Sequence, residues 1–163
     1  MNQNTADFRE ASARVFQINA SNGGVPKLAL PSVEIGFLGL AGDRQNNQDL
    51  HGGLERAVTL FSLERILSIQ EEGHLIYPGA VGENITIAGL DWELLEPGVR
   101  LRLGEAVLLQ VTRFISPCST IAHVFVSDDY SRISQKRFPG WSRLSACVLQ
   151  PGSVQVGASV RIE

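Results

Sequence analysis

The sequence predicts a mainly β protein with a few short helices, built as a single-domain closed or partly open β-barrel. At least seven short apolar segments have the character of strands, and glycine-marked turns separate them at close intervals. Only two or three segments show a helical spacing of apolar residues. Because closure of the sheet would remove exposed strand edges, a barrel is the most economical architecture for these elements.

The first part of the chain contains strand-forming segments after a short extension. Residues 1–12 are a predicted N-terminal extension, and residues 13–163 are assigned to one barrel domain. Residues 13–20 (ARVFQINA) predict the first strand, and residues 27–35 predict further extended chain that Pro31 interrupts.

The clearest helix is predicted just after the short apolar strand at residues 57–61 (AVTLF). Ser62 is a suitable N-cap, and apolar residues recur on one side of the segment up to about Glu72. Gly73 is a suitable stop, because helices commonly end at a glycine.

The second half of the chain returns to short strands. Residues 83–90 and 97–112 predict hairpin strands, and residues 142–149 and 154–162 predict the last ones. Between them, residues 119–137 show a helical spacing of apolar residues followed by a second short helix, whose predicted cap is Ser127 or Asp128.

Composition and charge narrow the class of protein. The 163 residues are 44% hydrophobic and 19% charged, which is typical of a folded globular domain rather than a disordered chain. The net charge of −3 and the dispersed basic residues argue against a nucleic-acid partner. No apolar run reaches membrane-spanning length, and residues 1–12 do not resemble a signal peptide, so we expect no membrane partner and a cytoplasmic location.

Cys118 is the first candidate for chemistry. Pro117 ends the preceding strand, so the cysteine should lie at a strand-to-helix turn, where unsatisfied amides favour a thiolate. Such a sulfur is a nucleophile or a soft-metal ligand, and the alternative is a small buried apolar residue. Cys147 lies inside the apolar segment SACVL and is predicted to pack in the core, and both cysteines are predicted to be free thiols.

A polar loop at residues 42–53 (GDRQNNQDLHGG) separates two predicted strands. Its glycines, which include Gly52 and Gly53, allow a backbone to approach a ligand closely, while Asp43, Arg44 and His51 offer polar and charged contacts. The loop is therefore predicted to hold an anionic ligand at a barrel mouth. The alternative is a solvated surface loop in which His51 packs locally.

Two further polar features have similar alternatives. Glu83 and Asn84 follow a glycine-rich turn and face either the same cavity or local backbone groups. Lys27 follows the turn GGVP and is either a solvated lysine or a contact to a phosphate.

In chain order, these motifs resemble those of the MOSC domain, named for the C-terminal domain of molybdenum cofactor sulfurase and also found as free-standing bacterial proteins. The resemblance covers the chain from about residue 13 to its end. The elements that carry it are GGVPK at 23–27, Gly42-Asp43, HGG at 51–53, Ala57-Val58, Pro78-Gly79, GEN at 82–84, Pro117-Cys118, GWSR at 140–143 and Val148-Leu149. The HGG, GEN and Pro-Cys elements are jointly specific in this order and spacing.

The resemblance implies a pyruvate-kinase-barrel-like fold that binds the molybdenum cofactor, a molybdopterin dithiolene with a phosphate and a molybdenum ion. It implies that Cys118 is the catalytic centre, as a thiolate ligand to molybdenum or as a carrier of persulfide sulfur. The residues predicted to bind the cofactor are Lys27, Asp43, Arg44, His51, Gly52, Gly53, Glu83, Asn84 and Arg113. Many free-standing members have an arginine three residues before this cysteine, where this chain has Ile115; by strand alternation Arg113 shares its face.

Three functions follow as alternatives from the resemblance. The first is a reductase of N-hydroxylated compounds, which takes a small-molecule substrate and needs a separate redox partner protein, because the sequence has no flavin, haem or iron–sulfur signature. The second is a sulfur carrier that uses a persulfide on Cys118. The third is a non-catalytic module that binds the cofactor.

Overall fold

The computed structural model describes residues 13–44 and 53–163. The predicted extension at residues 1–12, together with His51 and Gly52, lies outside the described residues. The strands are β1 Arg14–Ala20, β2 Leu28–Leu30, β3 Ser32–Gly36, β4 Gly39–Leu40, β5 Val58–Ser62, β6 Ile85–Ala88, β7 Arg100–Leu103, β8 Val107–Phe114, β9 Leu144–Gln150, β10 Gly152–Gln155 and β11 Val160–Ile162. The helices are α1 Leu63–Glu71 and the 3-10 helices Leu54–Arg56, Trp92–Leu94, Ser119–Val124, Val126–Asp128 and Tyr130–Ile133.

Most strands form one eight-stranded sheet in the order β11-β7-β8-β9-β5-β6-β1-β2. Its pairs are antiparallel except for β5 with β6, which is parallel. The strands β10, β3 and β4 form a second, three-stranded sheet. The prediction of a mainly β fold with few helices is therefore confirmed.

The larger sheet curves back on itself without closing into a continuous barrel. Arg14 at the start of β1 forms an isolated bridge with Ser159, just before β11. The amide of Val15 donates to the carbonyl of Ala158 at 2.9 Å, and the amide of Val160 donates to the carbonyl of Ala13 at 3.0 Å. Of the two forms that the sequence predicts, the partly open one is the form observed.

Helix α1 begins and ends as its sequence predicts. The Ser62 hydroxyl accepts a hydrogen bond from the Arg65 amide at 3.2 Å, and Ile66 and Ile69 are buried against the sheet. Gly73 follows the helix with φ of 101°, a conformation that glycine adopts without strain. No helix in the described part of the chain is long and apolar enough to cross a membrane.

The segment after Cys118 differs from its prediction. It forms three short 3-10 helices rather than longer regular ones, and the second predicted helix is not capped by Ser127 or Asp128. Both residues have positive φ, 55° and 56°, which interrupts a right-handed helix. Spacing of apolar residues does not reveal such a left-handed pair, so the sequence alone predicts a helix here.

Gly79 marks a close approach between two chain segments. Its φ is 91°, and its carbonyl accepts the Lys27 amide at 2.9 Å. A Cβ atom on Gly79 would overlap the Lys27 carbonyl oxygen, whereas a Cβ on Gly73 would meet nothing within 4 Å. Position 79 thus needs glycine both for its positive φ and for the close approach to Lys27, whereas Gly73 needs it only for its positive φ.

We predict that Gly79→Ala is much more destabilising than Gly73→Ala. Both alanines adopt an unfavourable positive φ, at about 1–2 kcal/mol each. Only the alanine at position 79 also overlaps backbone, at the Lys27 carbonyl, which adds roughly 1–3 kcal/mol to its loss of stability. Chemical denaturation of the two variants beside the native protein measures the difference, and equal losses would contradict the close approach.

Candidate functional site

A cavity of about 610 Å³ opens where the ends of β8 and β9 meet the 23–27 turn and the segment that begins at Cys118. This volume is typical of a small-molecule site. Cys118 lines the cavity with five cationic side chains, which are Lys27, Arg44, Arg56, Arg113 and Arg143. None of the described residues that line it is aspartate or glutamate.

Cys118 is partly buried, and its side chain lines the cavity. Its Sγ lies 3.3 Å from the Thr120 hydroxyl oxygen. Hydrogen bonding from the Thr120 hydroxyl lowers the pKa of the Cys118 thiol below its ordinary value, and the Thr120 amide and the Arg143 charge act in the same direction against the effect of partial burial. The sulfur is therefore more readily ionised than an ordinary thiol and is open to the cavity.

Lys27 lines the cavity, and its ammonium is held by a residue that does not line it. Its ammonium lies 2.6 Å from a carboxylate oxygen of Asp43, and both side chains are buried. The same oxygen accepts a hydrogen bond from the Ser21 backbone amide at 2.9 Å. The second oxygen of Asp43 accepts one from the side-chain Nδ2 of Asn84 at 2.9 Å. Asp43 and Asn84 do not line the cavity. Asn84 holds Asp43 in position, and Asp43 in turn holds the Lys27 ammonium.

Glu83 is fully buried and likewise does not line the cavity. Its carboxylate accepts the Gly79 amide at 3.0 Å and the Thr86 hydroxyl at 3.2 Å. Burial raises the pKa of Glu83 to about 7, although these hydrogen bonds and the charge of Arg143 oppose the shift. The GEN motif therefore supplies structural polar groups beneath the cavity.

Arg143 is a cavity residue that the sequence does not single out. It is only 8% exposed and comes immediately before β9. One terminal nitrogen donates to the Val81 carbonyl at 2.6 Å, while its buried Nε has no acceptor. Burial lowers the pKa of Arg143 to about 10, and the negative charges of Glu83 and Cys118 oppose that shift. Its only sequence signal is a charge beside a buried strand, in the GWSR motif.

Arg113 also lines the cavity, on the same side as Ile115. Its Nη2 lies 3.4 Å from a carboxylate oxygen of the exposed Glu55, and its buried Nε has no acceptor. Arg113, which shares a face with position 115 by strand alternation, thus borders the cavity in a chain that has isoleucine at position 115.

The polar loop is described only at its two ends. Arg44 lines the cavity, and its backbone amide donates to the Ser21 carbonyl at 2.8 Å. Gly53 is exposed, has φ of 91° and precedes the helix Leu54–Arg56. His51 and Gly52 lie outside the described residues, so their predicted roles stay predictions.

Cys147 is a free thiol, as is Cys118. It lies on β9 opposite Gln110 and is half-buried, whereas its neighbours Ala146 and Val148 are buried. The sequence predicts core packing for Cys147, whereas its side chain is partly exposed, at a strand position that alternates with the buried Ala146 and Val148.

We predict that the stability contributed by Glu83 depends on pH. Its pKa is about 7 in the fold and 4.5 ordinarily, so the folded state holds the proton more tightly than the unfolded state. Relative to Glu83→Gln, the native protein should be most stable below about pH 4.5. It should lose up to roughly 1.4 kcal/mol per pH unit as the pH rises to about 7. Denaturant titrations across this range measure the difference.

The control for this pH series is Glu96→Gln, which removes an exposed carboxyl group outside the buried cluster. It should not reproduce the pH dependence. A constant difference between the native protein and Glu83→Gln from pH 4 to pH 8 would contradict the prediction.

Comparison with known proteins identifies the family. A family model described as the MOSC domain matches residues 47–161. Protein YiiM of Escherichia coli (strain K12) is 32% identical over 130 residues, which are 77% of this chain and 56% of that protein. The uncharacterized protein YflK of Bacillus subtilis (strain 168) is 32% identical over 123 residues, or 74% of this chain and 54% of that protein. The chain thus spans about half the length of these relatives.

A solved structure supports the assignment at the level of the fold. The crystal structure of YiiM from Geobacillus stearothermophilus matches 93% of this chain and 75% of its own, with a TM-score of 0.73 and 24% identity. The family model and the relatives carry the assignment beyond the fold. Together they show that this chain belongs to the MOSC domain family, which is linked to the molybdenum cofactor.

Proposed function

We propose that this chain binds the molybdenum cofactor in the cavity around Cys118 and reduces N-hydroxylated compounds there. One observation carries the proposal: a thiol with a lowered pKa lines the same cavity as five cationic side chains. A soft, anionic sulfur suits molybdenum, and the cations suit an anionic cofactor.

The donor groups of the cavity fit the cofactor. Its phosphate and dithiolene carry negative charge, and Lys27 and Arg44 offer positive charge along one wall. The described residues contain no group of three or more His, Cys, Asp or Glu side chains that would hold a metal ion without help. A metal here would take one thiolate from Cys118 and its other ligands from the cofactor itself.

The side chains of the chain would bind and orient. Asp43 fixes the Lys27 ammonium, so the cation is in place before a phosphate arrives. Val25, Val81 and Ile121 provide apolar walls that exclude water from part of the cavity. When bound, the cofactor supplies the two-electron chemistry that these side chains lack.

The reaction requires electrons and protons from outside the cavity. Reduction of an N-hydroxylated compound to its amine consumes two electrons and two protons and releases one water molecule, with cleavage of the N–O bond. We assign the electrons to a separate redox protein.

Sulfur transfer is the second candidate, because the same thiol is accessible and readily ionised. A thiolate that attacks the outer sulfur of a donor persulfide becomes a persulfide itself, and the donor leaves as a thiolate. In this case Cys118 would carry cyanide-releasable sulfur without molybdenum.

The test uses protein expressed in a host that makes the cofactor. We expect molybdenum by elemental analysis and pterin fluorescence after acid oxidation, and turnover of an N-hydroxylated compound with a chemical electron donor. Cys118→Ser should lose molybdenum and activity, because a hydroxyl is a poor ligand for a soft metal. Cys147→Ser is the matched control, since that thiol lies on β9 away from the cavity lining.

Three other outcomes contradict the reductase or the role of Cys118 in it. Absence of both molybdenum and pterin removes it. Cyanide-releasable sulfur that disappears in Cys118→Ser without any metal favours the sulfur carrier. Retention of cofactor and of all activity in Cys118→Ser shows that the sulfur has no essential role.

A further inference from the structure

Arg113 and Arg143 both line the cavity, and each has a buried Nε that donates to no acceptor. The amide of Ile115 donates to the carbonyl of Arg143 at 2.9 Å, and Arg113 pairs in register with Ser145. Residues 113 and 115 therefore share a face with residues 143 and 145, and all four line the cavity. This arrangement places Arg113 and Arg143 on neighbouring chain segments, offset along one diagonal.

Each of these arginines has a buried Nε with no acceptor. An unmade hydrogen bond from a buried group destabilises the protein, and more so when the group is charged. Native structures therefore retain few such donors, and a missing ligand is one common reason. Both side chains line the same cavity, so an anionic group bound there would be attracted by both guanidinium charges.

The geometry of Arg143 suits a fixed anion contact. Its bond to the Val81 carbonyl at 2.6 Å and its burial hold the guanidinium in one orientation. A planar guanidinium binds two oxygens of a carboxylate or phosphate in a defined direction, which a lysine does not. Among the described residues, the carboxylates that interact with the pair are the buried Glu83 and the exposed Glu55, and neither lines the cavity.

We propose that Arg113 and Arg143 form an oxyanion site that binds a carboxylate or phosphate group of the substrate. The substrate part of this inference rests on the proposed function, and it names the substrate class: N-hydroxylated compounds that carry an anionic group. Lys27 and Arg44 line the cavity from other chain segments than β8 and β9, and we assign them to the phosphate of the cofactor. Arg143 and Cys118 line the same cavity, so an anion bound to the pair would share that cavity with the Cys118 sulfur.

The first test uses cofactor-free protein and inorganic phosphate, so it does not depend on molybdenum. Isothermal titration calorimetry should detect saturable phosphate binding to the native protein. Arg143→Gln and Arg113→Gln should each weaken it at least about tenfold, and Arg143→Lys should recover only part of the loss because it keeps the charge without the fork. Arg100→Gln is the matched control: it removes one arginine charge at an exposed position on β7, outside the cavity.

The second test identifies the source of the anion. In cofactor-loaded protein we expect a higher kcat/KM for a carboxylate-bearing N-hydroxylated compound than for its amide analogue. Arg143→Gln should reduce that preference at least about tenfold, with kcat/KM expressed per bound molybdenum so that any loss of cofactor is separated from loss of substrate recognition.

The remaining outcomes overturn the inference. Phosphate affinity in Arg143→Gln and Arg113→Gln equal to that of the native protein removes the oxyanion site. Loss of pterin in these variants with unchanged substrate preference shows that the pair binds the cofactor phosphate instead. If Arg143→Gln does not fold, Arg143→Lys and Arg113→Gln carry both tests. Absence of molybdenum from all proteins ends the proposed function, while the phosphate titration still decides the anion site.

Discussion

The arrangement of the cavity depends on the side-chain amide of Asn84. Its oxygen accepts the Thr59 amide at 3.0 Å, and its nitrogen donates to the Asn19 carbonyl at 3.3 Å and to the Asp43 carboxylate at 2.9 Å. One buried side chain thus joins β5, β1 and the start of the polar loop. In a low-dielectric interior these bonds are strong, and loss of any partner leaves a buried group unsatisfied.

This buried amide also determines the charge in the cavity. Asp43 is held by Asn84 and in turn holds Lys27, so the position of a cavity cation is set by a residue that the ligand never touches. Glu83 plays a comparable part when it is ionised, because its charge then acts on the buried Arg143. The counter-charges of the cavity thus lie behind its surface. A chain with a net charge of −3 can therefore have a cavity in which the five lysine and arginine side chains face no aspartate or glutamate among the described lining residues.

Much of the fold follows from local patterns, and much of the site does not. Ser62 caps its helix and the short strands form as predicted, because capping and alternation depend on near neighbours. Asp43, Glu83 and Asn84 have the polar character of ligand contacts, yet their partners are backbone groups and side chains of the protein itself, up to 65 residues away. A sequence does not distinguish a polar side chain that faces a cavity from one that satisfies a distant amide.

Arg143 is the converse case, because it lines the cavity although its sequence pattern does not single it out. A guanidinium that is 8% exposed, with one donor unsatisfied, costs stability in the protein without a ligand. Its carbonyl pairs with the Ile115 amide at the end of β8, so the register of β8 and β9 fixes where the charge must lie. A surface position for the side chain would require a one-residue shift, which would also turn the buried Leu144 and Ala146 outward. The strand pairing that buries the core therefore keeps Arg143 in the cavity at a cost in stability, and an anionic ligand would offset that cost.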